Sequence, residues 1–283
     1  MLNTAQRTAK PGLIRGPVNL AYAFVERQTN LWKRYWAWEL VWLVYGVVNT
    51  LAITFIAKEA EQAGITSDAS HLVLFLLLGT LVWAYLSAVL DDISLVVTWE
   101  RWEGTIEHTF MAPVRRATHL VGICAFAMLY GLARTTVVVV VAELLFHLDL
   151  SHANVPAALA VLAAATPAMV GVAILASILP LLSPEKGDQM TVAVQGVILL
   201  VSGVYYPISV LPWPLQALGR VSPMTYMLDG IRGSLLQGRQ VTQLVPELAL
   251  MLGMGLLLVP AGLLIFGWAE RRAKRLGLLK RSG

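Results

Sequence analysis

Long apolar runs constrain this chain more than any other feature in it. A helix needs about 20 mainly apolar residues to cross a hydrocarbon core. Residues 37–57, 71–97, 118–146, 156–182 and 245–268 each supply that length. Soluble domains carry about 25% charged residues, whereas here the share is 13%, so these runs do not read as the cores of ordinary soluble units. The pattern predicts an all-α polytopic membrane protein forming a single transmembrane domain over residues 1–283. A further apolar stretch, Gln189 to Val204, reaches only about 24 Å at 1.5 Å per residue, short of the core. Counting it as a short fifth span gives six spans.

Residues 1–18 form a polar tail without the short apolar core of a cleavable signal. The first span is therefore expected to act as the insertion signal. Residues 19–36 mix aromatics with Glu26, Arg27, Lys33 and Arg34, which suits an amphipathic helix lying at the interface. Membrane residues 37–268 follow, then a basic tail over 269–283. Lys and Arg fix the orientation. One side collects the N-terminal region, Arg101, Arg115, Arg116, Lys186 and the tail, and the other only Lys58, Arg220, Arg232 and Arg239. Six spans then put both termini and residues 98–116 in the cytoplasm. The net charge of +4 is topology and lipid attraction, and nucleic acid is not an expected partner.

Residues 98–116, TWERWEGTIEHTFMAPVRR, interrupt the apolar runs. On a helix, Trp99, Trp102, Ile106 and Phe110 share one face. Glu100, Glu103 and Glu107 form an acidic stripe beside Gly104, and Pro113 stops the helix before Arg115 and Arg116. Three carboxylates fit an anionic leaflet poorly. An apolar ridge with an acidic edge fits a groove in a partner protein better, although a helix resting on headgroups is the plainer alternative.

Residues 205–237 remain apolar but are broken by Pro207, Pro212, Pro214 and Pro223. Proline ends or kinks helices, so re-entrant half-helices between spans 5 and 6 are expected on the outer side. Charges inside spans normally have partners or face water. Arg134 is the strongest of them as a pathway or dimer-contact residue, while Glu39, Asp91 and Asp92 read as solvated near the inner surface. Trp83, Tyr85, Tyr205 and Tyr206 could stack on a substrate, though packing and interfacial duty is the commoner role. Neither the histidines nor the lone Cys124 shows metal or nucleophile spacing.

The segment ERWEGTIEHTFMAPVRR resembles the E-x-G-T-hydrophobic-E…P segment between the second and third spans of ABC-2-type permeases, the membrane subunits of ATP-binding-cassette exporters. PISVLPWPLQALGRVSPMTYMLDGIRGSLLQG is similar to that family's region before the last span. The resemblance covers roughly residues 20–270. It implies that Glu100, Glu103, Gly104, Thr105, Glu107 and Pro113 belong to a cytoplasmic coupling helix docked on an ATPase. It likewise implies an extracellular gate including Tyr205, Tyr206, Pro207, Leu211, Pro212, Pro223, Thr225, Tyr226, Asp229 and Arg232. Trp102 departs from the pattern, being bulky where a polar or aliphatic residue is expected.

The sequence contains no G-x-x-x-x-G-K-[ST] phosphate loop. The expectation is a non-catalytic exporter subunit with no cofactor of its own, ATP and Mg being held by two copies of a separate nucleotide-binding subunit. Two permease copies, identical or related, would form the pathway in the cell membrane of a bacterium. The cargo expected is a drug, lipid or glycolipid. The alternatives are an ion-coupled carrier, which lacks support from any inverted repeat, and a membrane scaffold without transport.

Overall fold

The structure, a computed structural model, describes residues 17–62, 69–94, 96–111, 116–146, 153–183 and 185–278. Among these residues every regular element is helical. The amphipathic α1 (Pro17–Arg34) turns at Tyr35 into α2 (Trp36–Gln62), and α3 (Ala69–Ser94) follows. Two short helices come next, α4 (Val96–Trp102) and α5 (Ile106–Met111), then the long α6 (Arg116–Phe146). Beyond it lie α7 (Val155–Ala176), its continuation α8 (Ile178–Leu182), and the short α9 (Gly187–Val201). Two half-length helices, α10 (Trp213–Val221) and α11 (Pro223–Leu236), precede α12 (Val245–Arg275).

Five helical stretches are long and apolar enough to cross a membrane: Trp36–Ile56, Leu72–Ser94, Thr118–Leu145, Val155–Leu182 and Val241–Arg275. They fall on the five long runs of the sequence. The last helix continues past residue 268 to Arg275, with Glu270 and Lys274 paired at 2.8 Å one turn apart. At 15 residues, about 22 Å, α9 is as short as its sequence implies.

α3 and α7 sit at the centre, with Leu86, Leu90, Ile93, Ala165 and Met169 all nearly inaccessible. Apolar packing gains little over lipid inside a bilayer, so helices associate where small residues let backbones approach. α7 and α12 do this through Ala168 and Gly171 against Gly255 and Gly262. By contrast α2 leaves Val41, Val44 and Val48 exposed, a surface for lipid or a second chain.

Long-range bonds identify the two ends of the bundle. At one end Arg27 of α1 reaches Glu100, Thr98 donates to Asp188 at the start of α9 (2.6 Å), and Arg101 donates to the Leu278 carbonyl (2.9 Å). At the other end Arg232 donates to the carbonyls of Phe75 (3.1 Å) and Gly203 (2.8 Å). There too the Asn154 amide donates to Ser234 O at 2.9 Å.

The 98–116 segment is not the single helix its periodicity suggests. Gly104 adopts φ +72°, a left-handed conformation that L side chains adopt at a cost, and it ends α4. Thr105 then starts α5, its carbonyl accepting from Thr109 N at 3.0 Å. The shared face is lost as a result: Ile106 is wholly buried while Trp102 is 60% exposed. Pro113 and Arg115 lie outside the described residues, as do 1–16 and 279–283 of the two tails, and nothing is described of the Glu107 and Phe110 side chains.

Candidate functional site

The α4–α5 hairpin is held from behind by buried polar contacts. Glu100, which the sequence places in an exposed acidic stripe, is only 2% exposed. Its Oε1 accepts from Arg27 Nη1 at 2.7 Å and lies 3.3 Å from His119 Nε2 of α6. Arg27 Nη2 also donates to Thr105 Oγ1 at 3.0 Å, while Thr105 N closes the turn onto Glu100 O at 2.9 Å. Within the E-x-G-T stretch Glu100 therefore faces inward as a brace, Gly104 makes the turn, and Thr105 joins both to α1. Stripe geometry failed here because α4 buries the side of the helix that carries Glu100.

Burial pushes the Glu100 carboxyl up, but the His119 imidazole and Arg27 guanidinium beside it bring it below the usual carboxylate value. A carboxyl depressed on folding stabilises the fold above its unfolded pKa, about 4.3 for Glu. That stability is lost as pH falls through the lower folded value. The melting-temperature gap between wild type and Glu100→Gln should be full at pH 7 and close on acidification below about pH 4. A gap that stays constant down to pH 3 would contradict this.

Arg101 anchors the hairpin to the rest of the bundle. It is 2% exposed and donates to three backbone carbonyls, those of Pro180, Leu181 (3.0 Å) and Leu278 (2.9 Å). Toward the outside the hairpin presents Trp99, Trp102 and Met111, the last 80% exposed. Trp99 and Trp102 meet edge to face at 5.5 Å, and Tyr35 packs against both. Tyr35 donates to Glu103 Oε1 at 2.5 Å, and this bond holds the phenol proton in place and raises its pKa.

At the opposite end the proline-broken region forms a compact cap. α9 ends at Val201, a short turn follows, and α10 and α11 fold back as two separate helices. Thr225 Oγ1 donates to Gly219 O (2.8 Å), Tyr226 OH to Arg220 O (2.7 Å) and Tyr206 OH to Leu200 O (2.7 Å). Pro212 and Ser222 occupy extended positions immediately before α10 and α11, and Pro223 opens α11, where a missing N–H costs nothing. Leu211 O accepts from Gln216 at 2.7 Å, Pro207 O closes the turn on Val210 N at 3.2 Å, and Tyr205 packs half-buried on the core. Arg232 is buried, with its guanidinium carbon 3.5 Å from the Phe75 ring centroid. Asp229, three residues earlier, is exposed.

The three pathway candidates each have local partners within the chain. Tyr85, 3% exposed, turns into the core beside Gly131, and Trp83 packs at the core's edge. Arg134 donates to the Trp42 carbonyl of α2 at 2.6 Å, which serves its charge locally. Within one chain Tyr85 is thus a packing residue, the commoner of the two roles its sequence position allows. Glu39 and Asp91 are bonded, where the sequence suggested simple solvation. Glu39 accepts from Tyr130 OH (2.6 Å), and Asp91 from Gln195 Nε2 of α9 (2.5 Å).

Arg27, Tyr35, Arg101 and His119 escaped sequence reasoning as site residues. Arg27 lies 73 positions from Glu100, and no local spacing announces a pairing across that distance.

With a glycine-turned hairpin between the second and third apolar helices and proline-broken half-helices before the last, the decisive comparison is with protein families. Residues 19–236 match the model of the ABC-2 type transporter family. The chain belongs to that family. A search of curated proteins returned no match. The ABC-2 match begins with α1 and ends with α11, leaving α12 beyond it, so it stops short of the residue 270 reached by the motif resemblance. As an ABC-2 membrane domain the chain is a multi-pass transmembrane component of an ABC-type transporter. Such domains are not themselves catalytic and generally work with an ATPase subunit.

Proposed function

We propose that the chain is the permease subunit of an ABC exporter that moves a hydrophobic or amphipathic molecule out of the cytoplasm or inner leaflet. The observation that carries this reading is the braced hairpin. Its apolar ridge, Trp99, Trp102 and Met111, is exposed, while its back is tied by Glu100 and Arg101 to four other parts of the chain. A segment held this way transmits a push from a docked ATPase to α1, α6, α8 and the end of α12 together. Two ATPase copies would carry ATP and Mg, and two permease copies would enclose the pathway, with Arg134, Trp83 and the exposed face of α2 near the joint. In this reading Glu103, Glu107 and Pro113 face the ATPase, and Tyr205, Tyr206, Pro207, Leu211, Pro212, Pro223, Tyr226, Asp229 and Arg232 form the outer gate.

Six crossings in one membrane domain fit this reading. Arg27, Thr98 and Leu278 gather at one end of the bundle, and a chain that returns to its starting side crosses an even number of times. α9 supplies the sixth crossing. It starts beside Thr98, and the loop after it meets Arg232 at the level of Phe75. The basic N-terminal region and tail put that common end in the cytoplasm of a bacterial cell.

Charge reversal at Glu103 and Glu107 tests the docking role. Transport and co-purification of an ATPase subunit should fall at least about tenfold, since like-charge or misplaced charge at an interface costs several kcal/mol, while the variant still inserts. Unchanged transport would remove the hairpin from the mechanism.

A further inference from the structure

A cavity of about 90 Å³ opens between α1, α2, α3, α4 and α6, beside the braced hairpin. Aromatic rings form its walls: Trp32, Tyr35, Trp38, Trp99, Phe126 and Tyr130. Phe126 and Tyr130 stack at 5.8 Å, and Trp32 meets Tyr130 edge-on at 5.9 Å. Carboxylates complete the lining, namely Glu39, Asp92, Glu100 and Glu103. Arg27 lines it too, with its guanidinium already bonded to Glu100 and Thr105. Two of the carboxylate oxygens, Asp92 Oδ2 and Glu100 Oε2, are buried without a hydrogen-bond partner among the described residues.

Buried carboxylate oxygens without partners are costly, and aromatic faces around them add a negative quadrupole field. A cation relieves both. The nearby Arg134 does not line the cavity and is bonded to Trp42 O. The available room suits a small head group rather than a whole drug-sized molecule, for which about 300–1,000 Å³ is usual. One wall, Trp38, is 53% exposed and continues onto the open apolar face of α2 at Val41, Val44 and Val48.

We propose that this cavity seats the ammonium head of a cationic amphiphile, whose tail leaves past Trp38 along α2. Aromatic walls around a carboxylate are the arrangement that recognises quaternary ammonium groups. The inference rests on the permease reading only in making this amphiphile a substrate. Because Trp99, Glu100 and Glu103 belong both to the cavity and to the hairpin, a bound head group would touch the segment on which the ATPase pushes.

The test is calorimetric titration of the purified full-length chain in uncharged maltoside detergent with decyltrimethylammonium. Wild type should show one saturable site per chain, with decanol showing micelle partition alone. Glu39→Gln combined with Asp92→Asn, and separately Trp32→Leu, should each weaken binding about tenfold or more. Partition alone for the cation, or equal saturable binding of decanol, would overturn the proposal. Equal competition by dihexanoyl phosphatidylcholine would also overturn it, by making the cavity a seat for ordinary lipid head groups. These ligand comparisons use the wild-type chain, so a misfolded variant does not blunt them. The titration needs no ATPase and so tests the site by itself; saturable binding there, with no ATP-driven export of the same cation by the chain paired with its ATPase, would count against the permease reading alone.

Discussion

Arg101→Ala should loosen the hairpin and lower the stability of the whole bundle by about 3 kcal/mol or more. Three backbone carbonyls, of Pro180, Leu181 and Leu278, accept from this one guanidinium. Truncation leaves them in a pocket where Arg101 itself was only 2% exposed. Each unsatisfied buried carbonyl costs about 1–3 kcal/mol, and water entering from the membrane surface returns part of that. Arg101→Lys should recover little, because an ammonium lacks the planar fork that spans several acceptors. Thermal unfolding in detergent reads the stability, and limited proteolysis within residues 96–116 reads the loosening. A melting temperature within a degree of wild type would show that the three bonds are not an anchor.

Gly79→Ala is expected to displace the cap built from the loop after α9, α10 and α11 and, on the proposed permease reading, to stop transport. A Cβ at residue 79 would lie 2.1 Å from Val204 O and 2.7 Å from Arg232 Nη2. The first of these atoms is backbone and cannot swing aside, so α3 and the loop after α9 must separate. Overpacking of this kind costs about 1–3 kcal/mol, and the separation also strains the Arg232 bonds to Gly203, Val204 and Phe75. Gly196→Ala is the matched control. It lies in α9 with nothing within 4 Å of the added carbon, and should be neutral or slightly stabilising, since Ala favours helix. Equal transport by the two variants would disprove the close approach as a functional constraint.

The spans were legible in the sequence because lipid imposes a simple length and polarity rule, and the five long runs lie on α2, α3, α6, α7–α8 and α12. Prolines stand at the starts of α10 and α11, where a missing N–H costs nothing. The hairpin was less legible. Helical periodicity assumes an unbroken helix, and one left-handed glycine at 104 rotates everything after it. The brace could not be read at all, because Arg27, Glu100 and His119 pair across the fold and look in sequence like ordinary interfacial charges. Tyr85 shows a different limit: an aromatic within a span fits packing or lining equally until its neighbours are known, and here it is buried beside Gly131.

The bond from Arg101 to Leu278 spans 177 residues of chain. During synthesis the hairpin emerges directly after α3, long before its final acceptor exists. At about 5–20 residues per second, the ribosome needs roughly ten to thirty-five seconds more to deliver it. Throughout that interval Arg101 is a cation without its full set of acceptors, and the hairpin is not yet the rigid element of the finished fold. On the proposed docking role, an ATPase that recognises only the fixed form would be recruited after the last helix is in place, and a chain cut short before Leu278 would present an unfinished hairpin.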